Sequence, residues 1–475
     1  MKGIFTLKKN VISLLLRELV NKGALLIMVF FIARLLGKAE LGQYTLALTV
    51  SQILFFATDL GLNTLLVREV AKDNSRASEY LFNFGVVNFI VSAFTLVLVG
   101  LVAWFLNCPK GLVLIIYLCA FSYFIIRLIV LFEAVFRALE KMEYQLFASL
   151  FKNLIFISLG VWYLLEGGAL VGLFCIFLLT NVITLLAIGG ICARVIKFAP
   201  PKLDIPFLKK YLIKTFPIWL TQLFAIIYLK VATLFLYRMK GDEAVGVYNA
   251  GYVLVDGFLI LSGVFASAIF PLLSRLHSRA AEDLKRVYEK CLNFLVFLFL
   301  PVAVSAVILS HRLVPLFYGS GFEDTVMVMR ILSCTAFLVI FGPLNSYVII
   351  TLDKQKIMPY ICGFGLVLSL VLNVSLIPAL SFIGAAVSGL MTELVMFSTV
   401  MLVISKYIYK LSFGDIFFKS IVASLAIGIF VYLFREINMF ILVTGAAALY
   451  LMLIYLLKGF LFQEKEFIKK VLRVA

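Results

Sequence analysis

Charge is what this 475-residue chain has least of: 14% of its residues are Asp, Glu, Lys or Arg, against about 25% in an ordinary soluble domain. A chain so poor in charge cannot clothe a water-facing surface of its size. Histidine is nearly missing too. His277 and His311 are the only two, and the topology derived below puts them on opposite faces, which excludes a His-based metal cluster or proton relay. The seven cysteines include no Cys-x-x-Cys pair, and all but Cys108 fall in or beside apolar runs. They read as buried small hydrophobes rather than a disulfide framework. There is no P-loop and no nucleophile beside a base, so neither ATP binding nor covalent catalysis is expected, and no cofactor is required. No cleavable signal peptide is expected, because the apolar run after the basic residues 1–9 is too long and lacks a small-residue cleavage site.

What is abundant is long apolar sequence, with 64% of residues hydrophobic. A hydrocarbon core about 30 Å thick is crossed by roughly 20 apolar residues. Fourteen such spans are expected, at 10–36, 41–66, 80–106, 112–136, 145–165, 169–193, 211–237, 244–273, 287–309, 326–351, 357–378, 382–405, 415–434 and 438–457. The predicted class is therefore an all-α integral membrane protein. When each Lys or Arg within about a turn of a span end is counted with its neighbouring gap, the gaps on the N-terminal side hold 29 and the opposite gaps 8. By the positive-inside rule both termini are expected in the cytoplasm, with the chain in the cell (inner) membrane. The same asymmetry accounts for most of the +17 formal charge, so no nucleic-acid partner is expected. The outer gaps are short, which argues against an exported catalytic domain and hence against a glycan polymerase or ligase.

An internal repeat divides the chain. Gly37-Lys-Ala-Glu-Leu-Gly42-Gln-Tyr44 and Gly241-Asp-Glu-Ala-Val-Gly246-Val-Tyr248 match at both glycines and the tyrosine, each at the outer turn after the first span of its half. Glu140-Lys141 echoes Asp353-Lys354, and Gly168-Ala169 echoes Gly384-Ala385. Equivalent spans enter from the same side, so the halves are expected to be parallel repeats about an axis along the membrane normal, with a substrate path between them. The expected domains are an N-lobe (1–195), a linker (196–210) broken by Pro200, Pro201 and Pro206, a C-lobe (211–406), and two further spans with a tail (407–475). Residues 274–290 are expected to form a charged amphipathic helix on the cytoplasmic surface.

Five cations, Arg17, Lys22, Arg127, Lys152 and Lys230, fall inside spans. An ionisable group near the bilayer centre costs at least about 2.5–3.5 kcal/mol, so it is expected to face protein or a water-filled cavity. One reading is a cationic cavity for a phosphate-bearing substrate, bound by Arg17, Lys22, Arg127 and Lys230. The other pairs the charges internally, Glu18 with Lys22 and Asp256 with Lys230. Glu18, Asp256 and Glu393 are candidates for ion coupling or counter-ions. Lys152 is expected to snorkel, and Asp59 and Arg34 to anchor span ends. Pro217 and Pro343 are candidate hinges, because proline frees backbone carbonyls and bends a span.

The run Arg34-Leu-Leu-Gly-Lys-Ala-Glu-Leu-Gly-Gln-Tyr44, then Asp59-Leu-Gly-Leu-Asn63 and Arg68-Glu69, resembles the opening of the Wzx-like polysaccharide-transporter flippases. Phe136-Arg-Ala-Leu-Glu-Lys-Met142, Gly246-Val-Tyr248 and Ile269-Phe-Pro-Leu-Leu-Ser274 extend the likeness over about residues 5–460. These flippases belong to the multidrug/oligosaccharidyl-lipid/polysaccharide (MOP) exporter superfamily. The resemblance implies two six-helix lobes around a central cavity. It also implies translocation of undecaprenyl-diphosphate-linked oligosaccharide between leaflets by alternating access, without enzymatic chemistry. Many relatives carry an acidic residue in span 7, where this chain has Lys230-Val-Ala-Thr. Implied partners are the lipid-linked substrate, membrane lipids and glycan-assembly enzymes, and H+ or Na+ is a possible coupling ion. The alternatives in the same fold are a cell-wall lipid precursor flippase and a cation-coupled drug antiporter.

Overall fold

The computed structural model describes residues 2–196, 205–257, 259–277, 281–408 and 415–456, and all regular elements among them are helical. Helices α1 (Lys2–Leu35), α2 (Lys38–Ala57), α3 (Leu62–Lys72), α4 (Ala77–Phe105), α5 (Lys110–Ala138), α6 (Glu143–Leu165) and α7 (Leu170–Val195) cover the first six expected spans. The next six are covered by α8 (Ile205–Lys240), α9 (Asp242–Asp256), α10 (Leu259–His277), α11 (Ala281–Tyr318), α12 (Thr325–Val339), α13 (Gly342–Thr351) and α14 (Met358–Ile408). Helices α15 (Asp415–Leu433) and α16 (Met439–Leu456) follow. Most of the 196–210 linker, including Pro200 and Pro201, lies outside the described residues, as do 278–280 of the expected surface helix.

By length and apolarity, eight helices among the described residues could cross a membrane, or ten if each bent pair is one span. Fourteen crossings are thus not a count that the helices deliver by themselves. Part of the shortfall has a local cause. Helix α14 is hydrogen-bonded as one element but contains Ser381 at φ 52° and ψ −132°, a non-helical break at the join of expected spans 11 and 12.

Two spans expected to be continuous are broken. Helices α2 and α3 meet at 50°, and α9 meets α10 at 41°. At the first break Leu60 (φ 48°) and Gly61 (φ 73°) are left-handed, a conformation that interrupts the helical ladder. The repeat is visible in the turns. Gly37 and Gly241 have φ of 92° and 85°, and Glu140 and Asp353 both have φ of 56°. Each of the latter pair closes a helix in the same way. Lys141 N donates to Phe136 O and Glu140 N to Arg137 O, while Lys354 N donates to Ile349 O and Asp353 N to Ile350 O, the two bonds of a Schellman cap.

The chain packs as two compact units. Unit 1 is Met1–Asn249 with Cys362–Ser381, and unit 2 is Ala250–Ile361 with Phe382–Ala475. The lobes expected at 1–195 and 211–406 follow sequence similarity, whereas these units follow packing; α8 lies against α2 and α3 within unit 1. The core of unit 1 gathers Tyr80, Phe84, Phe136 and Ile188, and that of unit 2 gathers Tyr288, Leu295, Leu344 and Val348. Below, the end of each unit that bears the Lys- and Arg-rich gaps is called the basic end, and the opposite end the far end.

Candidate functional site

Arg17, Asp59, Arg127 and Glu133 come together in the basic half of unit 1. Arg17 on α1 donates from Nη2 to Glu133 Oε2 on α5 at 2.8 Å, and Glu133 is only 6% exposed. One turn and a half earlier on α5, Arg127 Nη2 donates to Asp59 Oδ1 at 2.6 Å. Two of the four predicted cavity cations are therefore ion-paired, with partners 116 and 68 residues away in sequence. Glu18 is half-exposed, with Oε1 3.7 Å from Arg17 Nη1. Lys22 is half-buried further along α1.

Asp59 is not the span-end anchor the sequence suggested. It sits in the α2–α3 break, where Asn63 also donates to its Oδ1. The break frees backbone carbonyls, and α8 supplies their donors. Trp219 Nε1 donates to Ala57 O at 2.9 Å and Thr215 Oγ1 to Leu60 O at 2.7 Å. Span 7 thereby satisfies the broken backbone of span 2, as irregular backbone at membrane depth requires.

The same region holds residues the sequence did not single out. Gln145 Nε2 donates to Glu133 O, and Asn153 Nδ2 donates to Asn21 Oδ1 at 2.8 Å, joining α6 to α5 and α1. Arg137 interacts electrostatically with Glu133, Arg17 and Asp59. Lys152, expected to snorkel, interacts with Glu133, Arg17 and Glu18. Four cations thus surround two buried carboxylates. Each of the three arginines keeps a buried Nε without a hydrogen-bond partner in the protein. These Nε atoms are closed off from solvent, so it is the positive excess of the cluster, and not those donors, that suits an anionic ligand.

Other predicted residues lie elsewhere. Lys230 is half-buried on α8 in unit 1. Asp256 and Glu393 belong to unit 2, where Glu393 is 8% exposed. Pro343 occupies the first turn of α13, a position where its missing N–H breaks no helical bond, directly after the α12–α13 interruption. Pro217 falls inside α8, among residues whose side chains are not described. Among the described residues no group of three His, Cys, Asp or Glu could hold a metal ion.

The far end of unit 1 is built differently. There the two repeat turns meet with their backbones in contact. A Cβ on Gly42 would lie 1.9 Å from Asp242 O, and a Cβ on Gly246 would lie 1.9 Å from Lys38 O. Each glycine meets the repeat equivalent of the other's partner, so the contact is pseudo-two-fold. Lys38 Nζ lies 3.1 Å from Glu243 Oε2, and Gln43 Nε2 donates to Asp242 Oδ2 at 2.8 Å across the same crossing.

Comparison with known proteins agrees with this architecture. The profile of the family described as polysaccharide biosynthesis protein matches residues 7–277. An uncharacterized membrane protein of Methanocaldococcus jannaschii is 24% identical over 413 residues, covering 82% of this chain and 96% of that protein. The capsular polysaccharide biosynthesis protein CapF of Staphylococcus aureus is 23% identical over 387 residues, covering 77% and 90%. Among solved structures, the lipid II flippase MurJ in an inward closed conformation superposes with a TM-score of 0.73 at 14% identity, covering 93% of this chain and 98% of that one. An inward-facing multidrug resistance MATE transporter of the MOP superfamily gives 0.63 at 17% identity, covering 81% and 94%. The fold is therefore that of the MOP-superfamily transporters, and the protein is a multi-pass membrane protein.

Proposed function

The chain belongs to the polysaccharide biosynthesis protein family, and from that premise we propose that it is a flippase for undecaprenyl-diphosphate-linked oligosaccharide. The observation that carries this reading is the basic half of unit 1. Arg17, Arg127, Arg137 and Lys152 outnumber the carboxylates Glu133, Asp59 and Glu18 around it. A diphosphate brings several acceptor oxygens and a compensating negative charge. In this reading Lys22 and Lys230 extend the basic surface, the basic end faces the cytoplasm, and the polyprenyl tail stays in lipid while the sugars pass through polar surroundings. An ion gradient would give direction through Glu18, Asp256 or Glu393, and Pro217 and Pro343 would absorb the bending.

The test is the appearance of a fluorescent undecaprenyl-diphosphate oligosaccharide on the far leaflet of proteoliposomes. Arg17→Ala alone would leave Glu133 buried without its partner, so loss of activity could reflect loss of fold. The informative protein is the double variant Arg17→Gln, Glu133→Gln, which removes the pair and keeps the volume. Arg137→Gln and Lys152→Gln complete the set. Translocation by wild type that falls at least about tenfold in the double variant, with unfolding unchanged, supports the reading. Wild-type rates in all three variants would return these charges to a structural role. Transport of the cell-wall lipid precursor in place of the oligosaccharide would reassign the cargo.

A further inference from the structure

Unit 1 carries a second feature that the proposed transport path does not use. Helices α4, α5 and α7 enclose an apolar groove of about 800 Å³, lined among others by Ser78, Phe82, Ile90, Leu131, Leu186 and Gly190. That volume is within the usual range for a bound small molecule, roughly 300–1,000 Å³. Its floor is opened by glycine: a Cβ on Gly190 would meet nothing within 4 Å, and Gly189 and Gly85 also line it. The groove runs along α4 from Ser78 at the basic end to Ile90, which at 1.5 Å per residue is about 18 Å. Half of a hydrocarbon core is about 15 Å. The groove is therefore one leaflet deep, the reach of one acyl chain and too short for a long polyprenyl tail.

Charge sits where a headgroup would. Leu186, Gly190 and Arg194 follow one another at four-residue spacing, so they share a face of α7. The first two line the groove, and Arg194, exposed in the last turn, lies one turn beyond it at the basic end. Unit 2 offers a contrast. Its apolar groove of about 440 Å³ is lined by Pro301, Leu309, Leu313, Ile427, Val443 and others, and Arg312 adjoins Leu313 in the chain. There the guanidinium is occupied by the carbonyls of Arg435 and Ile437.

We propose that the α4–α5–α7 groove is a binding site for an anionic glycerophospholipid of the leaflet at the basic end, its acyl chain lying from Ser78 to Ile90 and its phosphate at Arg194. The site does not depend on the cargo proposed above. The experiment is native mass spectrometry of the full chain released from detergent with added phosphatidylglycerol or phosphatidylcholine. It compares wild type with Gly190→Leu, which fills open space, and with Arg194→Gln. Wild type is expected to retain phosphatidylglycerol over phosphatidylcholine. Gly190→Leu is expected to lose retention of both lipids, with an unchanged unfolding midpoint. Arg194→Gln is expected to weaken phosphatidylglycerol roughly fivefold, the equivalent of about 1 kcal/mol for one cation at a charged headgroup, and to leave phosphatidylcholine as it was. Equal retention of both lipids by all three proteins would mean only ordinary surrounding lipid, and would overturn the proposal.

Discussion

The two ends of unit 1 are held by opposite means. In the basic half, helices are tied through side chains: Arg17 to Glu133, Arg127 to Asp59, and Trp219 to the broken backbone of span 2. At the far end the contact is direct, because Gly42 and Gly246 let two backbones touch. The first arrangement tolerates shifts of an ångström or more, since side chains can follow a moving partner. The second is all or nothing, since a backbone contact that needs glycine at both positions is either made or lost. A bundle built this way has a compliant end with charge to offer a ligand and a stiff end suited to snapping shut. If the protein works by alternating access, the stiff end is where the barrier between states is set.

The sharpest way to break the far end is Gly42→Ala or Gly246→Ala. The added Cβ would overlap a backbone carbonyl, which cannot swing aside as a side chain would, so about 4–5 kcal/mol of the contact's stability is expected to go. The measurement is the unfolding midpoint in detergent together with amide exchange over residues 38–44. Gly23→Ala on α1, whose Cβ would meet nothing within 4 Å, is the control and should change neither. A Gly42→Ala protein indistinguishable from that control would mean the two turns do not meet.

The basic half should respond next most strongly, and asymmetrically. Glu133→Gln leaves the partly buried Arg17 with only the half-exposed Glu18, 3.7 Å away, as counter-charge, at a cost of about 2–3 kcal/mol. Replacing both residues by glutamine should recover most of that, because no uncompensated charge remains. A double variant as unstable as the single one would show that Glu133 matters through Gln145 and its neighbours rather than through Arg17.

The comparison also shows what was legible in the sequence. The glycine repeat could be read from the residues alone because both copies keep the same spacing, and the structure shows why: each glycine faces the other's turn. The cations Arg17 and Arg127 could be found because charge inside an apolar run stands out. Their partners could not. Glu133 and Asp59 lie far away in sequence, while the nearer choice for a helix, Glu18 with Lys22, looked sufficient. The break in span 2 left a trace in Asp59-Leu-Gly-Leu-Asn63, but an apolar run continuing past it outweighed one glycine. Arg137 escaped notice because it ends a span and reads as one more topological charge. Gln145 and Asn153 escaped because neutral polar residues are common in helices, and only the fold shows what they bond.

The smallest expected effect lies at the far end and is one of pH. Glu40 stands in the first turn of α2, just ahead of the expected span 41–66, where burial, and then the nearby Asp242 carboxylate, raise its pKa above its ordinary value of 4.5. The Asp242 charge belongs to the closed contact, and its effect vanishes if the turns separate. A group whose pKa is higher in the closed state favours that state fully below its open-state value, and the contribution is lost as pH rises through the raised one. The far-end contact should therefore loosen as the pH climbs above the ordinary carboxylate range. Amide exchange over residues 38–44, corrected for its intrinsic pH dependence, should show the loosening in wild type. Glu40→Gln removes the titrating group while keeping its shape, so its corrected exchange should stay level. A wild-type profile that is already level would place the carboxyl outside the contact and leave that end to the glycine crossing with its Lys38–Glu243 and Gln43–Asp242 contacts.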